Sequence, residues 1–168
     1  MNIVLTGFMA SGKTAVGRNL AKKLGLKYLD IDEKIEKDTG MPIAKIFEKM
    51  GEPAFRDLES KAIQAFALLD NYVIATGGGA VLRKENLKEL RQQGKIIYLA
   101  ATPEAILKRV GDAKTRPLLA NEQDKLGRIK ELLAQREPFY RDCDQMVDTS
   151  GLSIDEVVAR IAAYIEGI

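Results

Sequence analysis

Apolar positions along the chain fall into two alternating patterns. Short segments that read as strands begin near Asn2, Lys27, Tyr72, Lys95 and Gln145, and those near Asn2, Tyr72 and Lys95 are apolar enough to read as buried. Between them, apolar residues recur at helical spacing. Val16, Leu20 and Leu24 share a face over 15–24, and a short helix is expected over 33–38. Ile43, Ile46, Phe47 and Met50 form another stripe, which Gly51 ends. Phe55, Leu58, Ala62, Ala65, Phe66 and Leu69 mark a helix over about 53–69. Further helices are expected over 85–93 with Gly94 as stop, over 102–110 behind the Thr102-Pro103 start, and over about 124–137. A Ser153-x-x-Glu156 capping box opens the last helix, which carries Val157, Val158, Ile161 and Ile165 on one face. Strands alternating with helices predict an α/β fold: five parallel strands, helices on both faces, and a ligand crevice at the C-terminal strand ends.

The stretch 111–123 has no periodicity and contains Gly111, Pro117 and Asn121. An irregular insertion of this length, carrying Arg116, predicts a mobile lid. The chain of 168 residues otherwise reads as one domain over 1–168. Its apolar fraction of 46% supports a sizeable core, and its net charge of +2 gives no argument for nucleic acid. Arg18, Lys22, Lys23 and Lys27 read as a solvated helix face. With no signal peptide or long apolar run, a cytoplasmic protein without a membrane partner is the expectation.

Composition also narrows the chemistry. There is no histidine and one cysteine, Cys143. That removes histidine bases, Ser-His-Asp triads, thiolate zinc sites and an internal disulfide. Proton transfer must fall to Asp, Glu, Lys or Tyr.

The most informative motif is Gly7-Phe8-Met9-Ala10-Ser11-Gly12-Lys13-Thr14, a complete G-x-x-x-x-G-K-[ST] phosphate loop. An expected strand precedes it and an expected helix follows, as the motif requires. Backbone N–H groups around Gly7, Ala10, Ser11 and Gly12 would close on phosphates at the helix N-terminus. Lys13 would reach the β- and γ-phosphates, and the Thr14 hydroxyl would bind Mg²⁺.

Asp30 and Asp32 follow the second strand, where they serve either a site or the cap of the next helix. Arg56 reads, on pattern alone, as a surface residue paired with Glu52 or Glu59. Gly77-Gly78-Gly79 at a strand end implies unusual backbone angles or a close approach.

Taken together, the chain resembles shikimate kinase over nearly its whole length. The likeness rests on the phosphate loop; Asp30-x-Asp32; Ile46-Phe47; Gly51-Glu52-x-x-Phe55-Arg56-x-x-Glu59; Gly77-Gly78-Gly79; Arg116-Pro117-Leu118-Leu119; and Arg136-x-x-x-Tyr140. The resemblance implies a nucleoside monophosphate kinase-like fold and ATP-dependent phosphorylation of the shikimate 3-hydroxyl, with ATP and Mg²⁺. It implies Asp32 as base and shikimate ligand, and Asp30 with Thr14 at the metal. Arg56, Arg136 and the glycines 77–79 would receive the shikimate carboxylate, within a helical substrate segment over about 31–60. Phe47 and Phe55 would line the ring, Arg116 would act from the lid, and Arg109 would pack on adenine. A cytoplasmic monomer with a small-molecule partner is expected. The loop Ser150-Gly151-Leu152-Ser153 lacks the arginine or proline of many relatives, which predicts a looser adenine contact. Rival readings are a gluconate or nucleotide kinase and a silent nucleotide-binding partner module. The second expects loss of Lys13, Asp32 or Arg116, and all three are present.

Overall fold

The computed structural model describes residues 1–111, 118–119 and 123–168. The expected lid lies mostly outside the described residues, and Arg116 entirely so. The elements are strands β1 (Asn2–Thr6), β2 (Lys27–Asp30), β3 (Tyr72–Ala75), β4 (Gly94–Ala100) and β5 (Gln145–Asp148). The helices are α1 (Lys13–Leu24), α2 (Ile31–Thr39), α3 (Ile43–Met50), α4 (Glu52–Ala67), α5 (Lys84–Arg91), α6 (Pro103–Val110), α7 (Lys125–Tyr140) and α8 (Ile154–Glu166).

All five strands are parallel, in the order β2-β3-β1-β4-β5. Successive side chains on a strand point to opposite faces, so each strand feeds two cores. Ile3, Leu5, Val73, Ile97 and Leu99 pack with Val16 and Leu20 of α1 and Val158 and Ile161 of α8. Val4, Ile74, Ile96 and Tyr98 face the other way, toward Ile63 of α4, Leu87 of α5 and Leu132 of α7. Arg18, Lys22, Lys23 and Lys27 are exposed, away from the buried side of α1.

Helices α2, α4 and α5 begin or end a residue or two from the expected positions, and two further boundaries differ. Gly94 begins β4 instead of merely ending the helix before it. Helix α7 runs through Pro138 to Tyr140, beyond the expected end at Glu137. A proline forfeits one backbone donor, but here it lies in the last turn. The Arg141 N–H closes that turn on the Glu137 carbonyl at 3.0 Å. The extension places Tyr140 against the glycine loop after β3, where its hydroxyl donates to the Gly78 carbonyl.

The strand order separates β1 from β2 and seats β3 between them. Asp30 stands beside Ala75 in register, and Thr6 beside Tyr98. The phosphate loop, the acidic start of α2 and the triple glycine therefore meet at one end of the sheet. Among the described residues, no helix is long and apolar enough to cross a membrane.

Candidate active site

A cleft of about 720 Å³ opens at the C-terminal ends of β1, β2 and β3. One wall is the phosphate loop. Gly7 adopts φ 145°, and a Cβ there would lie 2.5 Å from the Leu99 carbonyl oxygen. Gly12 adopts φ 97°, and Ala10 enters the left-handed region at φ 57° despite its side chain. The N-terminus of α1 has no side-chain cap, so its N–H groups face the loop. Lys13 Nζ donates to the carbonyls of Gly7 at 2.7 Å and Phe8 at 2.8 Å.

Asp30 has the expected capping role and also meets Thr14. Its Oδ1 accepts from the N–H groups of Asp32 and Glu33, capping α2. Its Oδ2 accepts from the Thr14 hydroxyl at 3.1 Å. A hydroxyl and a carboxylate meeting at the mouth of a phosphate loop are hard oxygen donors. They suit Mg²⁺, which keeps several waters and takes its remaining ligands from phosphates. Among the described residues, no three acidic, cysteine or histidine side chains are grouped so that they could hold a metal ion by themselves.

Asp32, in the first turn of α2, points deeper. Its Oδ1 is shielded from solvent and has no hydrogen-bond partner among the described residues. Burial pushes its carboxyl up to about 7, with the charges of Glu59 and Asp30 adding to the rise and those of Lys13 and Arg56 opposing it. A carboxylate so placed can exchange a proton near neutrality.

The far wall carries the arginines. Arg56 does pair with Glu59 at 2.9 Å and Glu52 at 3.2 Å, but it is not a surface residue. It is 9% exposed, and its Nε has no partner among the described residues. Arg136 is 5% exposed, with its guanidinium 5.8 Å from the centre of the Phe8 ring. Among the described residues it makes no ion pair. A buried guanidinium without a carboxylate is ready for an anion. Phe47 and Phe55 close the cleft as a tilted pair with centroids 4.9 Å apart.

Glu59 received no site role from the sequence, yet it is fully buried here. Its signals were the i,i+3 spacing to Arg56 and its place at the end of the Gly51-to-Glu59 motif. Burial pushes its carboxyl up, while Arg56 and then Arg136 oppose the shift. The triple glycine also has a specific cause. None of Gly77, Gly78 and Gly79 has positive φ. Instead, charged side chains crowd Gly77 and Gly79, while at Gly78 the nearest neighbour of a Cβ would be the Met9 backbone nitrogen at 3.3 Å. A Cβ on Gly77 would stand 2.6 Å from Glu59 Oε2 and 2.9 Å from Asp32 Oδ1. A Cβ on Gly79 would lie 2.3 Å from Arg56 Nη2, and one on Gly78 would lie 3.5 Å from Arg136 Nη1. Arg109 lies on the loop side, donating to the carbonyl of Ala10 at 3.4 Å and to Thr149 Oγ1 at 3.2 Å.

Sheet order, phosphate loop and cleft define a phosphate-loop protein with the nucleoside monophosphate kinase-like fold. The comparisons narrow this. The family profile for shikimate kinase matches residues 9–166. A shikimate kinase from Caldanaerobacter subterraneus subsp. tengcongensis is 51% identical over 166 residues, 98% of this chain and 96% of that protein. The solved shikimate kinase from Acinetobacter baumannii, in complex with shikimate, has a TM-score of 0.95 at 38% identity, covering 99% of this chain and 93% of that one. The Aquifex aeolicus shikimate kinase has a TM-score of 0.86 at 37% identity, with 99% and 97% covered. The chain belongs to the shikimate kinase family.

Proposed function

We propose that this protein transfers the γ-phosphoryl group of ATP to the shikimate 3-hydroxyl, giving shikimate 3-phosphate and ADP on the route to chorismate and the aromatic amino acids. The observation that carries this reading is the pair of buried arginines, Arg56 and Arg136, facing the phosphate loop across a cleft that holds Asp32. Phosphoryl transfer requires positioning and charge neutralisation more than covalent help. Lys13 and the loop amides of Gly7, Ala10, Ser11 and Gly12 hold the phosphates, with Mg²⁺ at Thr14 and Asp30 and adenine beside Arg109. Arg116, outside the described residues, is assigned to the transferring phosphate. Asp32 accepts the proton of the attacking hydroxyl. Phe47 and Phe55 flank the ring, and Gly77 leaves room for Asp32. The substrate carboxylate is held by Arg56, Arg136 and the N–H groups of Gly78 and Gly79. The enzyme works as a cytoplasmic monomer on small molecules.

ADP release from ATP, measured with shikimate, gluconate, AMP or no acceptor, tests this directly. Release should require shikimate; equal release with gluconate or AMP would refute the reading. A hydrogen bond to a charged group contributes about 1.5–3 kcal/mol. Arg56→Ala and Arg136→Ala should each therefore lower kcat/KM for shikimate by roughly ten- to 150-fold, with little change in ATP affinity. Wild type should discriminate strongly against shikimate methyl ester. If Arg56→Ala keeps the wild-type acid-to-ester ratio, Arg56 does not read the carboxylate. Gly79→Ala should resemble Arg56→Ala in that ratio, because the added methyl occupies the guanidinium's place. An unchanged ratio there would argue against the close approach as the reason for glycine.

A further inference from the structure

Tyr28 stands beside the loop residues but has no part in the reaction described so far. Its hydroxyl donates to Asp30 Oδ2 at 3.1 Å, the same oxygen that accepts from Thr14. Asp30 Oδ1 is already committed to two backbone N–H groups of α2. A carboxylate oxygen offers two lone pairs in its plane, so the two hydroxyls account for Oδ2. Thr14 can give its proton to Asp30 while its oxygen lone pairs face outward to a cation. The rotor of Thr14 is therefore set by Asp30, and the plane of Asp30 is set in part by Tyr28.

The Tyr28 ring sits in a built niche. Gly17 in α1 leaves the space, since a Cβ there would lie 2.6 Å from Tyr28 Cε2. The Arg18 guanidinium covers the ring at 4.9 Å from its centre and is anchored to Glu33 at 2.6 Å. The ring is half-buried and its hydroxyl is held in one place.

We propose that Tyr28 is a positioning residue for the divalent cation, holding Asp30 so that Thr14 keeps its oxygen turned to the metal of the bound nucleotide. This rests on the assignment of Thr14 and Asp30 as the metal site. Outer-shell partners of this kind typically change metal affinity by about ten- to 100-fold.

The test uses Mn²⁺ as a paramagnetic stand-in, with binding to the protein–ADP complex followed by electron paramagnetic resonance. Tyr28→Phe keeps the ring in its niche and removes only the hydroxyl. It should weaken Mn²⁺ binding by about tenfold, and Asp30→Asn should weaken it at least as much. ADP affinity in a chelator and shikimate affinity should match wild type. Excess Mg²⁺ should restore turnover in Tyr28→Phe. Wild-type Mn²⁺ affinity in Tyr28→Phe beside a weakened Asp30→Asn overturns the role of Tyr28 alone. Wild-type affinity in both variants overturns the metal assignment and, with it, the inference. A turnover defect in Tyr28→Phe that saturating Mg²⁺ leaves in place also overturns the role.

Discussion

Asp32→Asn is expected to lower turnover at least about a hundredfold, within the range that a general base supplies. Affinity for shikimate should change much less, because an amide still offers a hydrogen-bonding oxygen. The rate loss should come with a changed pH profile. Burial and the neighbouring charges of Glu59 and Asp30 hold the Asp32 carboxyl near 7. In wild type, kcat/KM should therefore fall as pH drops below about 7, and Asp32→Asn should lose that limb. Stability moves the opposite way. In the unfolded chain the carboxyl titrates near 4. Between that value and about 7 the folded protein binds more protons, so its stability falls as pH rises through this window. The cost is complete above pH 7 and absent below 4. Asp32→Asn should consequently melt higher than wild type at pH 8, and the difference should shrink toward pH 4. Such an exchange of stability for activity is common at catalytic sites. Near-normal turnover in Asp32→Asn would end its assignment as base.

Lys13→Ala should be at least as damaging in turnover, about a hundredfold or more, because it removes a preorganised charge from the transferring phosphate. The fold should survive. The Lys13 ammonium bonds the Gly7 and Phe8 carbonyls of its own loop and carries no weight in either apolar core. A second consequence follows from its field. Lys13 is one of the two cations that lower the proton affinity of Asp32. Removing it should shift the acid limb of the residual activity to higher pH. Turnover close to wild type, or an acid limb that does not move, would show that Lys13 acts on neither group.

Some of this site was legible in the sequence because the relevant information is local. A phosphate loop is eight consecutive residues, and its glycines are required by backbone angles that the loop itself adopts. The positions of β1, β3 and β4 were legible because a buried parallel strand must be apolar on both faces, whereas β2 and β5 are edge strands with a shorter apolar pattern. The cap role of Asp30 is equally local, reaching only two and three residues ahead.

What the sequence by itself determined was the set of elements, the phosphate site and the residue types available for proton transfer. Only the tertiary structure decided which of them meet. The burial of Arg56 could not be read from its helix, where Glu52 and Glu59 at i−4 and i+3 look like ordinary surface partners. It is buried because the glycine loop after β3 closes over it, and β3 lies there because it inserts between β1 and β2. Arg136 reaches the same cleft from a helix that continues through Pro138, set in place by Tyr140 against Gly78. The shared acceptance of Thr14 and Tyr28 by one oxygen of Asp30 likewise needs α1 packed close to β2, with Gly17 leaving room for the ring. Spacing along a chain fixes neighbours within a turn or two. Burial and charge pairing between distant residues depend on strand order and packing distance, which the local pattern does not contain.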